Sequence, residues 1–124
     1  MLGEGIADMD IPSIIVYDLG NVNPILMEQV LYGIEEEGIP YMVEKKSGDG
    51  YSNVKEASYK AAISSQLSVG IAVNDENIAV HYANLDENKP LFLYPIKSMN
   101  IQNVRNIGAN SARLVKGIYF ILDD

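Results

Sequence analysis

The chain has 124 residues, 48% of them hydrophobic and 21% charged, enough for one hydrophobic core and too apolar for wholesale disorder. It carries 17 acids against 9 bases, a net charge of −8, which argues against the basic patches that nucleic acid or an anionic membrane surface requires. Without cysteine, and with one histidine, it has no disulfide scaffold, no thiolate nucleophile and no two-histidine metal site of its own.

The opening MLGEGIADMDIPS contains acids and no Lys or Arg, and no apolar run approaches the ~18 residues of a membrane span. Neither a signal peptide nor a span is expected, and the cytoplasm is the default location. Residues 1–12 mix Gly, Asp, Met and Pro without period, so a flexible N-terminal arm is expected there, followed by one α/β domain over 13–124.

Ser13 to Asp18, SIIVYD, is an apolar, β-branched run between Pro12 and Gly20 and predicts a buried first strand. Pro24 suits a first helical position after an Asn23 cap. Leu26, Val30 and Ile34 recur every fourth residue, and Gly38 is a natural stop, so a first helix is expected between them. IPYMVEK predicts the second strand. After the loop KSGDGYS, Asn53 and Glu56 look like a variant capping box for a second helix running to about Gln66. Its inner face, Val54, Ala57, Ala61 and Ala62, is small enough to pack closely on a sheet. SVGIAV, the turn NDEN and IAVHY predict an antiparallel hairpin. LFLYPI is a further strand, cut short by Pro95. The last helix is expected from about Asn100 to Lys116, with Ile101, Val104, Gly108, Ala112 and Val115 as its inner stripe and Gly117 as its stop.

The order β-α-β-α-β-β-β-α predicts a three-layer α/β/α sandwich. Its sheet is mixed, mostly parallel and five-stranded, with one antiparallel strand.

Catalytic signatures are missing. There is no G-x-x-x-x-G-K-[ST], no G-x-G-x-x-G after the first strand and no G-x-S-x-G. His81 lies inside an alternating strand and reads as a packed strand histidine. No residue is assigned a catalytic or cofactor-binding role.

Two segments break local rules. Glu35, Glu36 and Glu37 stand at the negative pole of the first helix, where each costs ~0.3–1 kcal/mol. A solvated acidic end or a cation from outside the chain accounts for them. In the last helix, Asn103, Asn106, Asn110 and Arg113 share a face, either a polar exterior or a surface that hydrogen-bonds a partner.

GIEEEGIPY (33–41), VGIAVNDENIAVHYANL (69–85) and RNIGANSARLVKGIYF (105–120) together resemble the small subunit of the diol and glycerol dehydratase-reactivating factors. GIEEEGIP with N-x-A-R-L-V-K-G-I is the specific combination. The resemblance implies a non-catalytic partner of a large ATPase subunit, two of each. The assembly is chaperone-like and releases damaged cobalamin from adenosylcobalamin-dependent dehydratase by subunit exchange. The resemblance also implies that Glu36, the middle acid, is a ligand to a Mg²⁺ ion shared with the large subunit. Glu35 and Glu37 are then expected to be dispensable. Asn103, Asn106, Asn110 and Arg113 are the expected partner interface. Localisation is expected to be cytoplasmic, with a bacterial microcompartment as one setting. Two other readings remain: the medium subunit of the dehydratase itself, and a free-standing small-ligand domain with its site in the loop from Asp18 to Asn23. A medium subunit normally carries extra segments around this core.

Overall fold

Short β-branched runs alternate with two helices before the final hairpin and helix, and each apolar run is spent on one sheet. The structure, a computed structural model, describes residues 11–47, 50–51 and 53–122. The expected arm over 1–12 lies outside the described residues except for 11 and 12, as do Gly48, Asp49 and Ser52 of the KSGDGYS loop.

Strands β1 (Ile14–Asp18), β2 (Tyr41–Lys45), β3 (Val69–Val73), β4 (Asn77–Tyr82) and β5 (Phe92–Pro95) form one sheet in the order β2-β1-β3-β4-β5. β1 pairs in parallel with β2 and β3, while β4 is antiparallel to both β3 and β5. Four strands therefore share one direction and β4 alone opposes them. The expected mixed sheet with one reversed strand is the one observed. Pro95 is the last residue of β5, and a 3₁₀ turn, Ile96–Ser98, follows.

Helices α1 (Pro24–Glu36) and α3 (Ile101–Lys116) cover one face, and α2 (Val54–Ser64) covers the other. The first core joins Ile14, Val16, Ile71, Ile78 and Val80 of the sheet to Val30 and Ile34 of α1 and Val104 and Ile107 of α3. The second sets Ile15, Tyr17, Ala72 and Ala79 against Val54, Ala57 and Ala61 of α2. The small face of α2 does bring it close: a Cβ at Gly70 of β3 would collide with backbone atoms of Ala61 and Ala62.

The caps follow the sequence. Asn23 Oδ1 accepts from the Ile25 amide at 2.9 Å, with Pro24 at the first helical position. Asn53 Oδ1 accepts from the Glu56 amide at 2.9 Å. A reciprocal capping box starts α3, Asn100 Oδ1 taking the Asn103 amide at 2.8 Å and Asn103 Oδ1 the Asn100 amide at 3.2 Å. Gly117 ends α3 in the left-handed region at φ 70°.

One expectation about α3 needs correction. Ile101 is exposed, and the buried set runs unbroken from Asn106 to Ala112, with Val104 before it. Most of the helix circumference is therefore covered in its middle turns, and the contacts described below show by what.

Candidate functional site: the α1–α3 face

Two glycines set the geometry of this face. A Cβ at Gly33 of α1 would strike the Arg105 carbonyl oxygen, and one at Gly108 of α3 would strike the Val30 carbonyl oxygen. The two backbones therefore touch at reciprocal positions. Early residues of α1 lie beside early residues of α3, as do the ends, so the helices run side by side in the same sense. Their negative poles consequently meet, and the three acids of α1 converge there with the cations of α3.

Glu37 is held within the chain. Arg113 Nε donates to its Oε2 at 3.1 Å, and Lys116 Nζ donates to its Oε1 at 2.7 Å and to its carbonyl at 2.9 Å. The Lys116 hydrogen bond is the chief reason that the Glu37 carboxyl is held below its ordinary range; burial pushes the other way and Arg113 adds to the lowering. Glu37 therefore has a structural role within the chain: it ties the ends of α1 and α3 together. The cations that offset the acidic run belong to this chain, an outcome that spacing alone did not suggest.

Glu36 has a different environment. Its side chain is 55% exposed, and its one described partner is Arg105, with Nη1 at 3.4 Å from Oε2. Glu35 is also exposed. Arg105 lies across α1: its Nε donates to Gln29 Oε1 at 2.9 Å, and its guanidinium sits 5.7 Å from the centre of the Tyr32 ring. Gln29, Tyr32 and Glu36 follow the i, i+3, i+7 spacing of one helix face. Glu28 beside Tyr32 pushes the phenol above its ordinary pKa. Arg105, Gln29 and Tyr32 were not among the residues expected at this face. The only signal was that same spacing on α1.

The amide stripe of α3 turns out to work inside the chain. Asn103 completes the capping box. Asn106 and Asn110 are buried within the chain, which rules out the polar-exterior reading of the stripe. Gln102 Nε2 donates to Asn106 Oδ1 at 2.9 Å. Asn110 clasps the segment after α3: its Nδ2 donates to the Ile121 carbonyl at 2.9 Å, and its Oδ1 accepts from the Ile121 amide at 2.6 Å. Arg113 Nη1 donates to the Tyr119 carbonyl at 3.0 Å. Phe120 packs edge-on against Phe92 of β5, and Tyr119 is left 93% exposed. A cavity of about 390 Å³ lies between this segment, Phe92, Tyr94 and Ile107.

His81 is fully buried. Its Nε2–H donates to the Glu87 carbonyl at 3.0 Å and its Nδ1 accepts from the Tyr82 amide at 3.1 Å, a tautomer assigned from these bonds. Tyr59 of α2 meets its ring edge-on at 5.2 Å. Both nitrogens are spent on backbone, as a packed strand histidine requires. Asp18 similarly folds onto its own loop, Oδ1 taking the Gly20 amide at 2.9 Å.

Among the described residues, no three His, Cys, Asp or Glu side chains gather as a metal site, and no helix is long and apolar enough to cross a membrane. An ion held by Glu36 therefore needs its other ligands from another molecule. A single exposed carboxylate fits Mg²⁺, a hard ion that takes few protein carboxylates.

A family model described as dehydratase medium subunit matches residues 11–121. The propanediol dehydratase-reactivating factor small subunit of Salmonella typhimurium is 45% identical over 96 residues, 77% of this chain and 78% of that one. The diol dehydratase-reactivating factor small subunit of Klebsiella michiganensis is 44% identical over 95 residues, 77% and 73% of the two chains. The Citrobacter freundii propanediol dehydratase-reactivating factor small subunit is 37% identical over 114 residues, 92% and 94% of the two chains. Among solved structures, a chain of the diol dehydratase-reactivating factor complexed with ADP and Mg²⁺ superimposes with a TM-score of 0.81 at 38% identity, covering 90% of this chain and 99% of that one. A glycerol dehydratase reactivase chain gives 0.82 at 25% identity, covering 90% and 97%.

Proposed function

The chain belongs to the dehydratase medium subunit family and, within it, to the small subunits of dehydratase-reactivating factors, and on that premise we propose that it docks through its α1–α3 face onto a large ATPase subunit. ATP hydrolysis resides in that large subunit. This chain offers no P-loop, and its one histidine is bonded to backbone. Two small subunits serve two large ones. The assembly acts on adenosylcobalamin-dependent diol or glycerol dehydratase in the cytoplasm or in a microcompartment. Its likeness to the dehydratase medium subunit lets the small subunit's place on the large one be exchanged, so that damaged cobalamin is released.

The observation that carries this reading is the unequal fate of adjacent acids. Glu37 is occupied by Arg113 and Lys116, while Glu36 points an exposed carboxylate outward with one long contact. Glu36 supplies one oxygen to a Mg²⁺ whose remaining ligands come from the large subunit and its nucleotide. The ion would link nucleotide state to subunit affinity, since a ligand shared across an interface is stronger when both sides are present. A neighbouring structure that contains ADP and Mg²⁺ supports the presence of the ion in such assemblies. Asn103, Asn106, Asn110 and Arg113 contribute to docking by holding the face and the exposed Tyr119 in place.

Titration calorimetry of the chain against the large subunit and ADP, with and without Mg²⁺, tests this. Glu36→Gln is expected to fold normally and to lose the Mg²⁺-dependent part of the affinity. Equal affinity of Glu36→Gln and the natural chain in Mg²⁺ removes Glu36 from the site.

A further inference from the structure

We propose that Arg105 is the positioning residue for Glu36, holding its carboxylate by one oxygen so that the other faces outward for a divalent cation. The inference rests on the reading of Glu36 given above and adds the device that makes an exposed glutamate usable. A surface glutamate samples many rotamers, and ordering it at the moment of binding lowers affinity. Here the ordering is built in.

Three independent contacts fix the guanidinium before any partner arrives. Gln29 Oε1 takes its Nε–H at 2.9 Å, and the Tyr32 ring lies under it at 5.7 Å. The third is Nη1 to Glu36 Oε2 at 3.4 Å. The backbone of Arg105 is fixed as well, because its carbonyl packs where a side chain at Gly33 would stand. The contact to Glu36 is the longer of the two hydrogen bonds. The guanidinium is therefore anchored mainly by Gln29 and Tyr32 and orients the carboxylate, and Oε1 has no partner among the described residues. A planar fork with separate Nε and Nη donors can bridge two acceptors in this way; a lysine ammonium has no equivalent geometry.

The test is the same titration with Arg105→Gln, Arg105→Lys and Gln29→Ala beside Glu36→Gln, using Mg²⁺ as the probe. Arg105→Gln is expected to reduce the Mg²⁺-dependent gain in affinity about 10- to 100-fold, the range for partners that orient a metal ligand. Affinity without Mg²⁺ and the melting temperature stay close to those of the natural chain. Arg105→Lys keeps the charge and fails to restore the gain, and Gln29→Ala shows a smaller loss of the same kind. Equal weakening with and without Mg²⁺ identifies Arg105 as an ordinary contact and overturns the proposal. So does a tighter Mg²⁺-dependent complex, which marks Arg105 as a competitor for Glu36, and so does no change. If Glu36→Gln itself keeps the full Mg²⁺ effect, the reading of Glu36 fails and this inference fails with it. A Mg²⁺ effect that needs Glu36 and ignores Arg105 overturns this inference alone.

Discussion

Lys116 Nζ reaches both the carboxylate and the backbone carbonyl of Glu37, at 2.7 and 2.9 Å, across 79 residues of sequence. One ammonium thus satisfies a free carbonyl at the end of α1 and neutralises the acid beside it, while standing in the last turn of its own helix. Glu37→Gln is expected to cost about 1 kcal/mol, the upper end for surface pairs, because two cations share one carboxylate. Urea unfolding at pH 7 measures it.

The same pair predicts a pH signature. The folded carboxyl of Glu37 titrates below its ordinary value. Its contribution is therefore complete above the unfolded value of about 4.3 and fades as pH falls through the lower folded value. Thermal melts from pH 7 down to pH 3 should show the gap between the natural chain and Glu37→Gln holding above about pH 4.3 and narrowing below it. A gap that is constant with pH means that the ion pairs contribute nothing.

Gly33→Ala and Gly108→Ala each place a methyl group where the facing helix has a backbone carbonyl. No rotamer relieves such a clash, so the helices must separate. Overpacking of this kind costs about 1–3 kcal/mol or more, against the modest gain in helix propensity that alanine brings. Both variants should melt well below the natural chain.

Asn110→Leu removes both bonds to Ile121 and leaves that residue's amide and carbonyl without their partner. The expected loss is about 1–3 kcal/mol. Hydrogen exchange at the Ile121 amide should accelerate even where the rest of the domain remains folded. Unchanged exchange there shows that the clasp does not hold the segment.

His81→Leu is a test of the histidine's structural role. It removes the donor to Glu87 and the acceptor for Tyr82 in a buried position. A loss of about 1–3 kcal/mol is expected. Affinity for the large subunit, measured well below the melting temperature, should be retained.

Much of the fold is written in local signals. Asn23 with Pro24, Asn100, Gly117 and the strand alternation each act over a few residues, and such features mark element ends directly. The site was legible only in part. Spacing showed that Asn106, Asn110 and Arg113 share a face of α3, but a shared face does not reveal what covers it. The cover is Glu37, 76 residues away from Arg113, and the segment after α3 that turns back onto the helix. The acidic run at 35–37 shows the same limit. Its cost at a helix end was visible, whereas the compensating Arg105, Arg113 and Lys116 become neighbours only because α1 and α3 approach closely at Gly33 and at Gly108.

β5 has a consequence for life outside an assembly. Four residues, the last a proline with no N–H to donate, leave little ladder for another strand to extend. At the opposite border, β2 ends in Glu44 and Lys45, charges that discourage edge-to-edge stacking. A subunit that spends time between one partner and the next, as the exchange proposed above requires, needs borders of this kind. Such borders disfavour the strand-by-strand recruitment of further copies into filaments.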